Sequence, residues 1–404
     1  MTGPVKQRPR SRDLLLSAEA RLEGFLSELA GLVAIDSGSY SPAGVNRVAD
    51  WTAGRLSALG FAVERVTPGG AAGGTTGDVL IGRRPGRLTA RDGGRRVLLA
   101  AHMDTVFADG TAASRPFTLQ GPLAHGPGVS DDKGGLLAGL TALDVLREAG
   151  VDEYAEIVFL ATPDEEIGSP ASRPVTERAA RGAHFALALE CARENGDLVI
   201  ARKGVADLLL TVTGRAAHSG IEPERGANAA LTAAHLVVAL QALNGRWEDV
   251  TVNVGVVRAG TRTNIVCPEA ELRVEIRSAT ASGIARARAA IEETAARPRV
   301  PGTSVVVEQL DLCPPMEDTG TAHRMMAHAR ALGAELGLDL GATATGGVGD
   351  ANIIAGVGVP VLDGLGPVGG ADHSPEEWLD TTSVPARVAL LAALVATLGD
   401  ARHG

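Results

Sequence analysis

Cysteine is scarce in this sequence. Only Cys191, Cys267 and Cys313 occur, far apart and with no Cys-x-x-Cys pair. That argues against a disulfide framework and against a thiolate zinc site. No stretch reaches 18 apolar residues free of charge, so no membrane-spanning helix and no membrane partner are expected. The start, MTGPVKQRPRSRDLLLSAEARLEGFL, is basic but has no continuous apolar segment and no convincing cleavage site. It reads as the ragged start of a soluble cytoplasmic protein, with Lys6–Arg12 as a solvated tail. Positive charge is not in excess. Lys and Arg total 38 against 48 Asp and Glu, a net charge of -10 that speaks against a nucleic-acid partner. TGGVGDAN (345–352) lacks the GK[ST] or GxGxxG context of a nucleotide loop. There is no internal repeat.

What is present is length and apolar content. At 404 residues and 45% hydrophobic composition, two domains are the expectation. Helical spacing runs over 13–34 and about 45–59, the latter ending at Gly60. FAVERV, VLIG and RRVLLAAHMD read as strands, DKGGLLAGLTALDVLREAG as a helix, AEIVFLA as a strand, 171–181 as a helix and HFALALE as a strand. This alternation predicts an α/β layered domain. The pattern then changes to βαββαβ, complete within about 205–312, the ferredoxin-like arrangement. After CPPMED the α/β pattern resumes, with a last helix at about 383–399. The smaller domain, 204–314, therefore reads as an insertion into a larger one made of 1–203 and 315–404. TPGGAAGGTTGD (67–78) reads as a loop. An open face and exposed strand edges on the inserted sheet would invite a second copy of the chain.

Chemistry gathers at predicted strand ends. AEIVFLA is followed by TPDEEIGS, with Asp164, Glu165 and Glu166 side by side. Three adjacent carboxylates at the end of a buried strand repel one another unless something positive sits among them. RRVLLAAHMDTVF ends in His102 and Asp104, two apart and so on one side of an extended segment. HGPGVSDDKGG places Asp131 and Asp132 at a Gly-rich turn before a helix. HFALALE ends in Glu190, and GPVGGADHSPEEW offers His373. Each piece alone has an ordinary explanation as a turn, a cap or a solvated helix start. Taken together, strand ends converge on one edge of an α/β sheet. Two imidazoles and several carboxylates without thiolate suit Zn²⁺, with Mn²⁺ or Co²⁺ as alternatives, and the excess of carboxylate suits two ions.

The order HMDT, GPGVSDDKGG, TPDEEIGS, ALE, GRAAHSG, RTNIVCPEAELRVEIR, TGGVGDAN and GADHSPEE resembles the di-zinc peptidase and deacylase family. That family includes glutamate carboxypeptidase of the carboxypeptidase G type, acetylornithine deacetylase and succinyl-diaminopimelate desuccinylase. Glu190 places the chain nearest the first. The resemblance covers roughly residues 20–400. It implies a mixed-sheet zinc-peptidase catalytic domain with the ferredoxin-like insert as a lid and dimerisation domain, and a homodimer. It implies that Asp131 bridges two Zn²⁺, that His102 and Glu190 complete one ion, and that Glu166 and His373 complete the other. Glu165 would be the general base, Asp104 would orient His102, and Asp164 would be structural. The Asp131–Asp132 bond would be cis. His218 would stabilise the oxyanion, and Asn264, Arg277, Gly346 and Gly347 would contact substrate. The implied activity is hydrolysis, through a zinc-bridging hydroxide, of an amide next to an amino acid with a free carboxylate. The substrate would be a dipeptide or small molecule. N-acyl-amino-acid deacylation is the alternative, and a catalytically silent binding protein is a weaker one. Departures are Cys313 or a neighbour in QLDLCPPMED, where glutamate-specific relatives carry Arg near the hinge, the pair Arg202–Lys203, and Asp372 beside His373.

Overall fold

The computed structural model describes residues 9–69 and 76–398. Residues 6–8 of the tail, 70–75 of the loop 67–78 and residue 399 at the end of the expected last helix lie outside the described residues. The chain forms two units. One comprises the chain up to Ile200, Asp318–Ala344 and Gly349 onward, and the other Ala201–Glu317 with Thr345–Val348.

The first unit is built on a six-stranded mixed sheet. Its spatial order is Ala62–Val66, Val79–Pro85, Glu156–Thr162, Arg96–His102, Phe185–Ala188, Val361–Leu362. The first three strands pair antiparallel and the remaining pairs are parallel. The central strands are Val-, Leu- and Ile-rich because both faces are covered, and Leu98, Leu99, Val158 and Phe159 are fully buried. Truncating Phe159 to Ala would cost about 3–5 kcal/mol by the usual core penalty. The helices Lys133–Glu148 and Val384–Thr397 are buried along most of their length, which explains their nearly continuous apolar sequence. The spacing over 13–34 is interrupted: two helices, Ser11–Glu19 and Leu22–Val33, replace the single one expected. The apolar stripe continues across the break through Leu14, Ala18, Phe25, Leu29 and Leu32, so periodicity could not locate it. A small antiparallel sheet, ordered Gly369–Gly370, Trp378–Asp380, Leu123–His125, Thr118–Gln120, has strands of two or three residues. Such strands are too short to show an alternation in sequence.

The second unit is a four-stranded antiparallel sheet with helices Ala229–Gln241 and Ala281–Ala295. Its strand order, Val250–Ala259, Glu269–Ser278, Gly204–Thr213, Ser304–Cys313, is that of a βαββαβ ferredoxin-like fold. Asn228 and Thr280 cap the two helices through their side chains. The buried residues Leu208, Leu210, Leu272, Val274 and Ile276 alternate along the strands and pack under these helices. The outer strands carry exposed apolar residues, Val256, Val257, Val306 and Leu310.

Candidate metal centre

Sheet register brings the charged segments together. His102 pairs with Thr162 across parallel strands, so the chain beyond each strand leaves at the same level. Leu189 donates its backbone amide to Ala100 at 2.8 Å, which delivers Glu190 to the same edge. The helix Lys133–Glu148 starts directly above. Its close approach requires glycine: a Cβ on Gly135 would lie 1.9 Å from the Leu189 carbonyl oxygen. The Asp131–Asp132 peptide is cis.

Asp131 is the centre of the cluster. Its Oδ1 lies 2.9 Å from His102 Nε2, and its Oδ2 lies 3.1 Å from His373 Nε2. His373 Nε2 is also 2.9 Å from Glu166 Oε2, and His102 Nε2 is 3.8 Å from Glu190 Oε1. Two donor groups result, His102–Asp131–Glu190 and Asp131–Glu166–His373, each with one ligand atom per residue within 4.8 Å of the others. They share Asp131. His373 is held with φ +63, a left-handed conformation that non-glycine residues rarely adopt and that tends to mark functional sites.

Asp104 faces the other side of His102. Its Oδ1 is 3.3 Å and its main-chain oxygen 3.1 Å from His102 Nδ1, leaving Nε2 to point into the cluster. The same carboxylate accepts the backbone amides of Glu165 at 3.1 Å and Glu166 at 3.2 Å, and the Ser39 hydroxyl at 2.6 Å. One buried side chain therefore sets both the imidazole and the DEE turn. Asp164 turns away, accepting the amides of Ala171 at 2.7 Å and Ser172 at 3.2 Å.

The electrostatics follow from this crowding. Burial opposes the charge on Asp131, but the two imidazoles outweigh it and hold the carboxyl well below its usual range. Burial also opposes charge on His102, yet Asp104 and Asp131 push its pKa well above that of an ordinary histidine. Asp131 and Glu166 push His373 up to about 11. Burial, reinforced by Glu190, raises Glu165 well above the ordinary glutamate. Five carboxylates, of Asp104, Asp131, Glu165, Glu166 and Glu190, crowd around two imidazoles. Such a surplus favours bound cations, and imidazole with carboxylate is a donor set that suits divalent zinc.

Three supporting residues were not singled out from sequence. Glu377, fully buried, accepts the amides of Gly128 at 2.8 Å, Ser130 at 2.8 Å and Asp131 at 3.0 Å. Asp350 accepts from the hydroxyls of Thr162 at 2.5 Å and Ser169 at 2.7 Å behind the DEE turn. Lys133 donates to the Ile35 carbonyl at 2.8 Å, and burial lowers its pKa to about 8. Nothing in the spacing of SPEEW, TGGVGDAN or DDKGG distinguishes these from surface charges.

The remaining expected residues lie in the second unit. His218 and Asn264 are neighbours: Ser219 donates its amide to the Asn264 carbonyl at 3.2 Å, and His218 pairs with Ile265. Both are exposed. The Arg277 guanidinium is gripped by Glu275, at 2.7 Å and 3.0 Å, and donates to the Gly346 carbonyl at 2.9 Å. Gly347 donates its amide to Thr345 Oγ1 at 3.4 Å. Arg202 is buried, 3.5 Å from the Gly347 carbonyl.

Residues 98–397 match the model of peptidase family M20/M25/M40. The chain belongs to this family. It is 32% identical over 402 residues to carboxypeptidase G2 of Pseudomonas sp. (strain RS-16), covering 99% of this chain and 95% of that protein. Acetylornithine deacetylase of Proteus mirabilis is 28% identical, over 70% of this chain and 72% of its own length. Among solved structures, aminopeptidase PepT from Bacillus cereus superposes with a TM-score of 0.73 at 24% identity, covering 93% of this chain and 98% of that one. The M20 family metallo-carboxypeptidase Sso-CP2 from Sulfolobus solfataricus gives 0.64 at 14% identity, over 92% and 98%. The chain is thus a metal-dependent hydrolase of the metallopeptidase class, with the family's α/β architecture. No helix among the described residues is long and apolar enough to cross a membrane.

Proposed function

We propose that this protein hydrolyses the amide joining an acyl group or residue to an amino acid that bears a free carboxylate, using two Zn²⁺ per subunit. The observation that carries the reading is the carboxylate of Asp131, whose two oxygens face two separate donor groups. Asp131 would bridge the ions, His102 and Glu190 would hold one, and Glu166 and His373 the other. Ions bound there would lower the pKa of a water molecule and polarise the scissile carbonyl. Glu165, its proton affinity raised by burial, would take the proton of the attacking water and return it to the leaving amine. Asp104 would keep His102 Nδ1 occupied and the DEE turn in place. His218 and Asn264 would serve the oxyanion and the substrate. Arg277, with Gly346 and Gly347 beside it, would take the substrate carboxylate. The Glu275 grip then acts as a competitor that the substrate must displace or share.

The second unit would act as lid and dimer contact, supported by the exposed Val256, Val257, Val306 and Leu310 on its outer strands. Light scattering giving a monomer at every concentration would count against the dimer. N-acyl-amino-acid deacylation is the second reading, favoured by the likeness to acetylornithine deacetylase.

The test is a turnover screen of zinc-loaded protein on acidic dipeptides and on N-acyl amino acids, with a chelator control and elemental analysis. Turnover that the chelator abolishes supports the hydrolase. No turnover with no bound metal sinks it and favours a silent binding protein.

A further inference from the structure

A cavity of about 260 Å³ lies in the second unit, between the helix Ala229–Gln241 and the chain that leaves the helix Ala281–Ala295. One wall is Thr232, His235, Leu236 and Ala239, at the spacing that places residues on one helix face. The other is formed by 293–294 and 297–299. The two are tied together just beyond residue 299. The buried Thr232 hydroxyl and the Thr303 hydroxyl are hydrogen-bonded at 2.9 Å, and Thr303 Oγ1 donates to the Val300 carbonyl at 2.7 Å. The cavity is therefore preformed.

Its lining is rich in cationic donors. Arg297, Arg299 and His235 stand against one carboxylate, Glu293. This reverses the balance of the whole chain, where Asp and Glu outnumber Lys and Arg by 48 to 38. Glu293 does not neutralise the group. Its Oε1 is 3.6 Å from Arg297 Nη1, both side chains are largely exposed, and such pairs are weak in water. Arg297 alone has a local explanation, since the last carbonyls of a helix attract a cation. Arg299 has none. It stands past Pro298, outside the helix, and its guanidinium makes no hydrogen bond or ion pair to any described residue. His235 is half-buried, and its ring nitrogens likewise bond to no described residue. Leu236, Ala239 and Pro298 supply a small apolar side. No Phe, Tyr or Trp is among the described lining residues, so a nucleobase finds no stacking platform. The volume falls just under the range of about 300–1,000 Å³ usual for ligand pockets, which calls for a small occupant.

We propose that this cavity binds a small phosphorylated compound, its phosphoryl group held by Arg297, Arg299 and His235 and a short aliphatic stem laid against Leu236 and Pro298. A phosphoryl group carries a charge of about −1.5 to −2 and three strong acceptor oxygens, enough to engage two guanidinium forks and an imidazole together. A carboxylate carries one charge on two oxygens and is matched by a single fork. Every lining residue belongs to the second unit, and none is among the metal-ligating groups of the first. The exposed Val256, Val257, Val306 and Leu310 of the outer strands take no part in the lining either.

The experiment is an NMR titration of zinc-loaded protein labelled with ¹⁵N-histidine. It follows the His235 imidazole, whose signal His235→Gln identifies. Phosphate also has affinity for zinc, so the His235 signal rather than total heat is the readout. The probes are glycerol 3-phosphate, inorganic phosphate and succinate at equal ionic strength, with sodium chloride as control. Glycerol 3-phosphate should shift the signal to saturation, and succinate should bind at least about tenfold more weakly. Arg299→Glu should weaken glycerol 3-phosphate at least about tenfold, the scale of one lost charge-assisted bond. Arg299→Gln should weaken it by a smaller factor and gives a second, milder variant. Arg91→Glu, the same charge change at an exposed arginine of the first unit, should leave binding unmoved. Arg299 is exposed too, so folding should survive, and thermal melts check it. A shift that sodium chloride reproduces, or that Arg91→Glu weakens as much as Arg299→Glu, overturns the site. Succinate binding as tightly as glycerol 3-phosphate overturns the phosphoryl assignment. Inorganic phosphate binding as tightly upholds the phosphoryl group and overturns the contact with the stem.

Discussion

The buried carboxylate of Glu377 accepts the backbone amide of Asp131 at 3.0 Å. Glu377 thereby holds the residue that faces both imidazoles, together with the amides of Gly128 and Ser130. Its own chain continues into the strand Trp378–Asp380, which pairs Trp378 with His125. The loop carrying His373 and the loop carrying Asp131 are thus clamped to each other.

Removing that clamp should be costly. Glu377→Ala leaves three buried amides unpaired, each worth about 1–3 kcal/mol, so a loss of roughly 3 kcal/mol or more is expected. Glu377→Gln keeps one acceptor oxygen and sets an NH₂ against an N–H. It should fall between alanine and wild type in both urea midpoint and zinc affinity. If alanine matched wild type in zinc affinity, the clamp would have no bearing on the centre.

Asp104 should matter for both halves of the centre. Asp104→Ala frees the His102 ring and the Glu165 and Glu166 amides together. The expected loss is about 10–100-fold in metal affinity or activity, the usual effect of removing a carboxylate that orients a metal-binding histidine. Titration with a zinc indicator checks the affinity.

Glu165→Gln should separate binding from chemistry. It removes the proton acceptor without touching the paired donor groups. Metal content should be unchanged and kcat should fall by about 10²–10⁴-fold. A variant retaining more than a tenth of wild-type kcat would refute the base assignment.

His373→Ala should halve metal content, from about two ions per chain to about one, since it strips a ligand from only one donor group. Elemental analysis after dialysis decides. Loss of both ions would show that the groups cannot be filled independently.

Asp350 predicts a pH dependence of stability. Burial raises its pKa from 3.8 to about 6, against the opposing hydroxyls of Thr162 and Ser169. Between those values the folded chain holds a proton that the unfolded chain releases. The contribution of this site to stability is therefore complete below about pH 4 and is lost as pH rises through about 6. Asp350→Asn does not titrate, so wild type should lose on the order of 2–3 kcal/mol relative to it between pH 4 and pH 7. Urea melts of both proteins across that range check this, and parallel curves would refute it.

Much of this protein was legible one-dimensionally. Strand and helix alternation, the βαββαβ insert, and the grouping of His102, Asp131, Glu165, Glu166, Glu190 and His373 all follow from local pattern. Apolar period reports element type, and strand ends in such sheets converge. The mixed sheet order and the parallel register of His102 with Thr162 needed three dimensions, because pairing is set by contacts between segments far apart in the chain. The small sheet that joins 369–380 to 118–125 was invisible for the same reason, its strands being too short to carry a period. Glu377, Asp350 and Lys133 looked like any surface charge, since burial is a property of the packed molecule and not of the residue. The grip of Glu275 on Arg277 is likewise a product of packing. Sequence by itself determined which side chains could do chemistry. Tertiary structure alone decided which atoms face one another, because only the closed fold turns spacing along a chain into distance.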